Sequence, residues 1–129
     1  MLLDDLSDYL TPLLAGFPVQ KGFFQEVPDE VVALRETGGF PSQHVNAGGF
    51  GAILDEPTVQ VVARGKTYAG TMNLCRTAFA ALDGMHDVVL NDVPYHFITA
   101  LQPPFFLMRD ENHRFQCAFN IHVKRRNVT

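Results

Sequence analysis

The sequence predicts a single α+β domain over residues 1–129, with a mixed, mostly antiparallel sheet packed by an N-terminal helix and one long central helix, residues 67–83. Three stretches carry that prediction. Between Pro57 and Gly84 an apolar β-branched run, Val59 to Val62, gives way after Gly65-Lys66-Thr67 to a helical period. Near the C-terminus, Phe115, Cys117, Phe119, Ile121 and Val123 alternate with Gln116, Ala118, Asn120, His122 and Lys124, the pattern of a half-buried strand. At the N-terminus, leucines recur on one face of a helix.

The elements follow in order. Residues 2–15 read as an amphipathic helix with Leu3, Leu6, Leu10 and Leu13 on one face, widened by Leu2, Tyr9 and Leu14. Asp4, Asp5 and Asp8 oppose the positive end of its dipole. Pro12 kinks or ends it, because proline lacks the N–H that an interior turn needs. Gln20 to Gln25 and Val31 to Arg35 read as short strands around a Pro28-Asp29-Glu30 turn, with Phe23 and Phe24 facing opposite sides. Residues 37–56 hold Gly38, Gly39, Gly48, Gly49 and Gly51, half of the chain's ten glycines, and show no sustained period. They are expected to form a long glycine-rich loop, of the kind that is usually functional or mobile.

The central helix is capped at Thr67, whose hydroxyl can accept from an otherwise orphaned backbone N–H. Tyr68, Met72, Cys75, Phe79 and Leu82 form its buried stripe, and Gly84 ends it. Asp87 to Asn91 and Val93 to Gln102 follow as strands. The Asn91-Asp92 bend is not assigned as a tight hairpin, because Pro94 comes so soon after it. In the second of these strands Tyr95, Phe97, Thr99 and Leu101 are expected on one face, and Pro103-Pro104 ends it. Phe105 to Arg109 leads into the turn Asp110-Glu111-Asn112 and the last strand.

Composition narrows the function. With 47% apolar and 19% charged residues, the chain is globular in balance. No apolar run approaches the roughly 20 residues of a membrane-spanning helix. The acidic start, Leu2-Leu3-Asp4-Asp5, lacks the basic residues of a signal peptide, so a reducing cytoplasm is expected as the place of synthesis. Cys75 and Cys117 then read as buried small hydrophobes. Residues 1–63 carry nine acids against Lys21 and Arg35, a balance of −7, whereas residues 64–129 carry eight bases against five acids, a balance of +3. Such polarity suits a chain that meets other proteins, or copies of itself, through complementary faces. No basic stripe for nucleic acid is present, and Lys124-Arg125-Arg126 is a short cluster at a strand end.

No catalytic, cofactor or metal site emerges. Gly65-Lys66-Thr67 ends like a phosphate-binding loop, but Gln60 stands where the first glycine is required, in the middle of an apolar strand. The five histidines share no metal-binding spacing. His96 and His122 could meet across strands, yet no carboxylate near them in sequence completes a ligand set. Ser42 and His44 sit together in the glycine-rich segment without an orienting acid, and Asp55-Glu56 are adjacent rather than facing. Phe40 and Phe50 are the notable apolar residues of that segment. Either they fold back on the domain, or they anchor the segment to a neighbouring subunit.

Two segments together resemble a known family. The first is Ala33-Leu34-Arg35-Glu36-Thr37-Gly38-Gly39 with Pro57-Thr58-Val59-Gln60-Val61-Val62-Ala63-Arg64-Gly65. The second is Tyr95-His96-Phe97-Ile98, Pro103-Pro104, Arg109-Asp110-Glu111-Asn112-His113-Arg114 and a strand ending in Lys124-Arg125-Arg126. Over residues 30–126 this resembles the tail-terminator, or tail-completion, proteins of long-tailed bacteriophages. The family version tends to carry glycine where this chain has His113. The resemblance implies a structural, non-enzymatic virion protein, assembled in the host cytoplasm. It implies self-association into a six-membered ring that ends tail-tube growth and offers the head a joining surface. Its partners would be the tail tube protein and a head–tail connector or neck protein, with viral DNA passing through and no sequence-specific contact. By that reading Phe40, Phe50, Lys124, Arg125 and Arg126 lie at subunit or partner contacts. The other readings are another neck component, such as a head-completion or stopper protein, and a small ligand-binding or enzymatic α+β domain with a mobile glycine-rich lid.

Overall fold

The strand with the clearest alternation sits near the middle of the sheet. The computed structural model describes residues 2–14, 16–22, 24–25, 28–47 and 50–127, and at 41–47, 50–53 and 127 the backbone alone. The elements are α1 (Leu2–Leu10), β1 (Val19–Lys21), β2 (Val31–Ala47), β3 (Phe50–Gly65), α2 (Tyr68–Leu82), β4 (Met85–Leu90), β5 (Val93–Ala100), β6 (Phe105–Arg109) and β7 (Phe115–Asn127). All seven strands form one sheet in the order β1-β2-β3-β7-β5-β4, with β6 also on β7. Among the described residues only β1 and β2 pair in parallel, so the sheet is mixed and mostly antiparallel, as the sequence pattern predicts.

Both helices cover one face of this sheet. Cys117, Phe119, Ile121 and Val123 of β7 point to them, with Val59, Val61 and Ala63 of β3 and Val32 and Leu34 of β2. From α2 come Met72, Leu74, Cys75, Ala78 and Leu82, and the Phe79 ring meets Phe119 edge-on with centroids 5.4 Å apart. Thr67 caps the helix by accepting from the Gly70 N–H at 3.1 Å, and Gly84, at φ 81°, turns the chain out of it. Tyr68 departs from the predicted stripe: it is half exposed, its ring resting on Phe115 and Phe106 at the edge of the sheet rather than in the core. Gly65 shows why the strand-to-helix turn needs glycine without any phosphate. A Cβ there would stand 2.6 Å from the Thr71 hydroxyl, so the residue lets α2 approach the end of β3. Lys66 points to solvent, 3.8 Å from the Asp29 carboxylate.

Helix α1 ends at Leu10 in a 3-10 turn, Thr11–Leu13, where Pro12 needs no intrahelical donor. Its buried stripe is Leu2, Leu6, Leu10 and Leu14, rotated from the predicted one, and Leu13 is exposed. Asp5 is not a solvent-facing dipole partner. It is buried, accepting from the Tyr95 hydroxyl and from Asn91 Nδ2 at 3.1 Å, and so ties α1 to β5. Burial, followed by the bond to the Asp5 carboxylate, pushes the Tyr95 hydroxyl pKa above its ordinary value.

Three local expectations are corrected. Asn91 and Asp92 both lie at positive φ, 48° and 65°, and Leu90 pairs with Val93, which makes a two-residue type I′ hairpin. Pro94 does not prevent it. After such a turn the second pair is non-hydrogen-bonded, so position 94 faces away from β4, and the described ladder to β7 begins only at Tyr95. In β5, Tyr95 and Phe97 oppose the consecutive residues Arg125 and Lys124, so His96 is the extra residue of a bulge. Tyr95 and Ile98, rather than Tyr95 and Phe97, therefore share the core face. The predicted strand over Gln20 to Gln25 shrinks to β1, and Phe23 lies outside the described residues.

The largest correction concerns residues 37–56. Residues 37–47 and 50–56 are strand rather than loop, and 48–49 lie outside the described residues. Strands β2 and β3 pair from Val31↔Arg64 to Ala47↔Phe50, with irregularities between Glu36 and Gly39 and between Phe40 and Gln43. Gly39 explains the first. At φ 153° it lies against β3 so closely that a Cβ would stand 2.6 Å from the Glu56 carbonyl oxygen. Strand β1 ends at Lys21↔Leu34, and β7 pairs with β3 as far as Ile53↔Asn127. The hairpin therefore extends as an arm beyond β1, its outer edge unpaired from Arg35 onward among the described residues.

Candidate assembly surfaces

Two surfaces stand out: the root of the β2–β3 arm and the edge formed by β6. At the arm root Phe40 pairs in register with Glu56 and is 52% exposed. Its ring lies 4.5 Å from the His122 ring, and Phe97 packs edge-on against the other side of that imidazole at 5.0 Å. His122 Nε2 stands 3.4 Å from the Glu56 carboxylate. The carboxylate that is absent near His122 in sequence thus comes from the neighbouring strand. His96 is not its cross-strand partner, since His122 pairs with Thr99. Among the described residues no three His, Cys, Asp or Glu side chains gather as a metal site. A cleft of about 270 Å³ opens beside the arm, lined by Glu36, Phe40, Asp55, Glu56 and Arg125 among others.

The C-terminal basic cluster does not act as one block. Alternation along β7 sends Arg125 to the helix-covered face and Lys124 and Arg126 to the other. Arg125 is mostly buried, pairs across the ladder with Asp55 and lies 3.9 Å from that carboxylate. Its charge is therefore met within its own chain, while Arg126 is exposed. Phe50 begins β3 opposite Ala47, and its side chain lies outside the described residues. The structure brings Phe40 and Arg125 to one cleft.

Sequence reasoning passed over the second surface. Strand β6 carries Phe106, Leu107 and Met108, all exposed. Phe106, opposite Cys117, shares the helix-covered face with Tyr68 of α2, whereas Met108, opposite Gln116, lies on the other face of the same edge. The rings of Tyr68, Phe106 and Phe115 lie 5.9–6.3 Å apart, and the Arg109 guanidinium lies 5.0 Å from the Phe115 centroid. The available signal was four consecutive apolar residues, Phe105 to Met108, between Pro104 and Arg109. A run without alternation, too short for a helix, is an edge strand without charged protection.

The strands β5 and β6 lie end to end along β7, broken at Gln102-Pro103-Pro104. There the Asn120 N–H donates to the Gln102 side-chain oxygen at 3.2 Å, which supplies an acceptor where the ladder is interrupted. The Asp110–Arg114 turn then reverses the chain. His113 sits at φ 62°, a left-handed conformation suited to glycine, the residue that the resemblance leads one to expect there.

Neither surface is a closed, water-excluding pocket with convergent reactive groups. Both expose apolar side chains beside unpaired strand edges among the described residues.

Among curated sequences none matches significantly. Among solved structures, the fold is similar to a chain of the "Virion of native gene transfer agent (GTA) particle", at 14% identity and a TM-score of 0.58, covering 92% of this chain and 84% of that one. The sequence profile of a family described as "Bacteriophage tail terminator protein" matches residues 4–127. The match spans nearly the whole chain, and this chain belongs to that family of structural, non-enzymatic phage tail proteins.

Proposed function

We propose that this chain closes into a six-membered ring at the head-proximal end of the tail, ends growth of the tail tube and presents the surface to which the head joins. The β2–β3 arm carries this reading. A strand pair that leaves its own sheet with a bare outer edge, and with Phe40 exposed at its root, fits contact with another subunit. A ring is a heterologous contact that closes, so each copy needs two different complementary faces. Phe40, Phe50, Lys124 and Arg126 lie at contacts with the neighbouring copy or with the tail tube and neck proteins. Arg125, held 3.9 Å from the Asp55 carboxylate in the same cleft as Phe40, belongs to the same contact surface. Viral DNA passes through the lumen without sequence-specific contact.

The test is to polymerise the cognate tail tube protein with and without this chain. Tubes grown with it are expected to stop short and carry added density at one end. Tubes of unchanged length with bare ends would overturn the reading.

A further inference from the structure

We propose that the β6 edge, flanked by Tyr68 and Phe106 on the helix-covered face and by Met108 on the other, is the seat for the β2–β3 arm of a neighbouring copy. This rests on the ring reading above and names the face that receives the arm.

Edge protection first sets β6 apart. On one side of the sheet β1 has three residues, and on the other β4 carries charged Asp87 at positive φ. Strand β6 has four apolar residues before Arg109, and its outer side is unpaired among the described residues. The arm's outer edge, from Arg35 onward, is likewise bare. Each edge offers the other the backbone partners it lacks, by strand addition.

Position in the sheet is the second argument. Strand β2 lies on one side of β3, and β6 lies beyond β7 on the other. One copy can therefore give its arm and receive another at the same time, as a heterologous ring requires. A two-fold dimer would need one self-complementary patch instead.

Charge is the third. The arm root is acidic, with Glu36, Asp55 and Glu56 around the cleft against Arg125 alone. The seat leans basic: Arg109 lies over Phe115 and Arg76 is exposed two turns along α2 from Tyr68, against Glu111 exposed in the turn beyond β6 and Asp110 already paired with Arg114. Opposite signs on the two faces favour arm against seat and disfavour seat against seat.

The experiment uses the full chain with Phe40→Cys and Phe106→Cys together and a short bifunctional maleimide, which tolerates a small offset in register. The native thiols give little background. Cys75 and Cys117 are buried, and burial pushes the Cys75 thiol up to about 12. The double variant is expected to crosslink into a ladder of oligomers, whereas either single variant stays below the dimer-to-hexamer series. In parallel, Phe106→Glu with Met108→Glu is expected to raise the concentration needed for assembly about tenfold or more. Circular dichroism and the unfolding midpoint should stay near wild type, because both side chains are about half exposed. If the wild type assembles while the double-Glu variant assembles equally well and the cysteine pair does not crosslink, the seat is wrong and the ring reading stands. If the wild type assembles neither alone nor on tail-tube ends, both fall.

Discussion

Phe119→Ala is expected to lower stability by about 4 kcal/mol, the upper range for a buried aromatic. Phe119 is fully buried on β7, paired across the ladder with Val61 and facing Phe79 of α2 edge-on. The neighbours that could fill the space belong to a ladder bonded on both sides of β7 and to a helix seated closely against Gly65. Collapse into the cavity is therefore limited, and the cost of the void adds to the lost transfer energy. Against a total of roughly 5–15 kcal/mol for a domain, this is a large share. Urea titration would show a lower midpoint with the slope little changed. Phe119→Leu, which keeps most of the volume, should cost less than half as much. A loss below about 1 kcal/mol for alanine would mean that the sheet and α2 close over the gap.

Arg64→Ala is expected to cost about 3 kcal/mol and to free the segment around Pro28. Arg64 is buried on the sheet face away from the helices. Its Nη2 donates to the Gln25 and Pro28 carbonyls at 2.7 and 2.6 Å, and its Nε donates to the Asp29 carbonyl at 3.1 Å. The guanidinium also lies over the Phe24 ring at 4.6 Å. Removing it leaves carbonyls without their charged donor and the segment without its main anchor. Arg64→Lys should rescue little, because a point ammonium cannot reproduce a planar fork of donors. Amide hydrogen exchange is the direct readout. Protection should fall around residues 24–30 far more than in α2 or the centre of β7. Uniform loss across the chain would mean that Arg64 holds the sheet rather than the segment.

Legibility varied with the physical signal. The central helix was readable almost to the residue, because a threonine cap, a helical period and a terminal glycine all point to the same bounds. Strand β7 was readable because one face meets the helices and the other does not. Strands β2 and β3 were half readable. Their inner ends form an apolar run, but beyond Glu36 two bulges shift the alternation and the glycines remove side chains that would display it. A period-two search reads such a strand as a loop. The bulge at His96 hid the core face of β5 for the same reason. At the candidate site, Phe40 stood out in the sequence as an apolar residue with no local partner. Whether it folds back or stays exposed is open at that level, and in the structure it is half exposed. The pairing of Arg125 with Asp55 was not legible, since the two lie 70 positions apart and meet only through the ladder. The β6 patch left a composition signal and no periodic one.

The most direct test of the central claim is the rotational symmetry of the assembled chain. It is read from native mass and end-on image averages of the purified protein, alone and on cognate tail-tube ends. The account predicts closed rings of six copies of the 14.4 kDa chain. Monomers in solution together with tail-tube ends bare of any ring would contradict it.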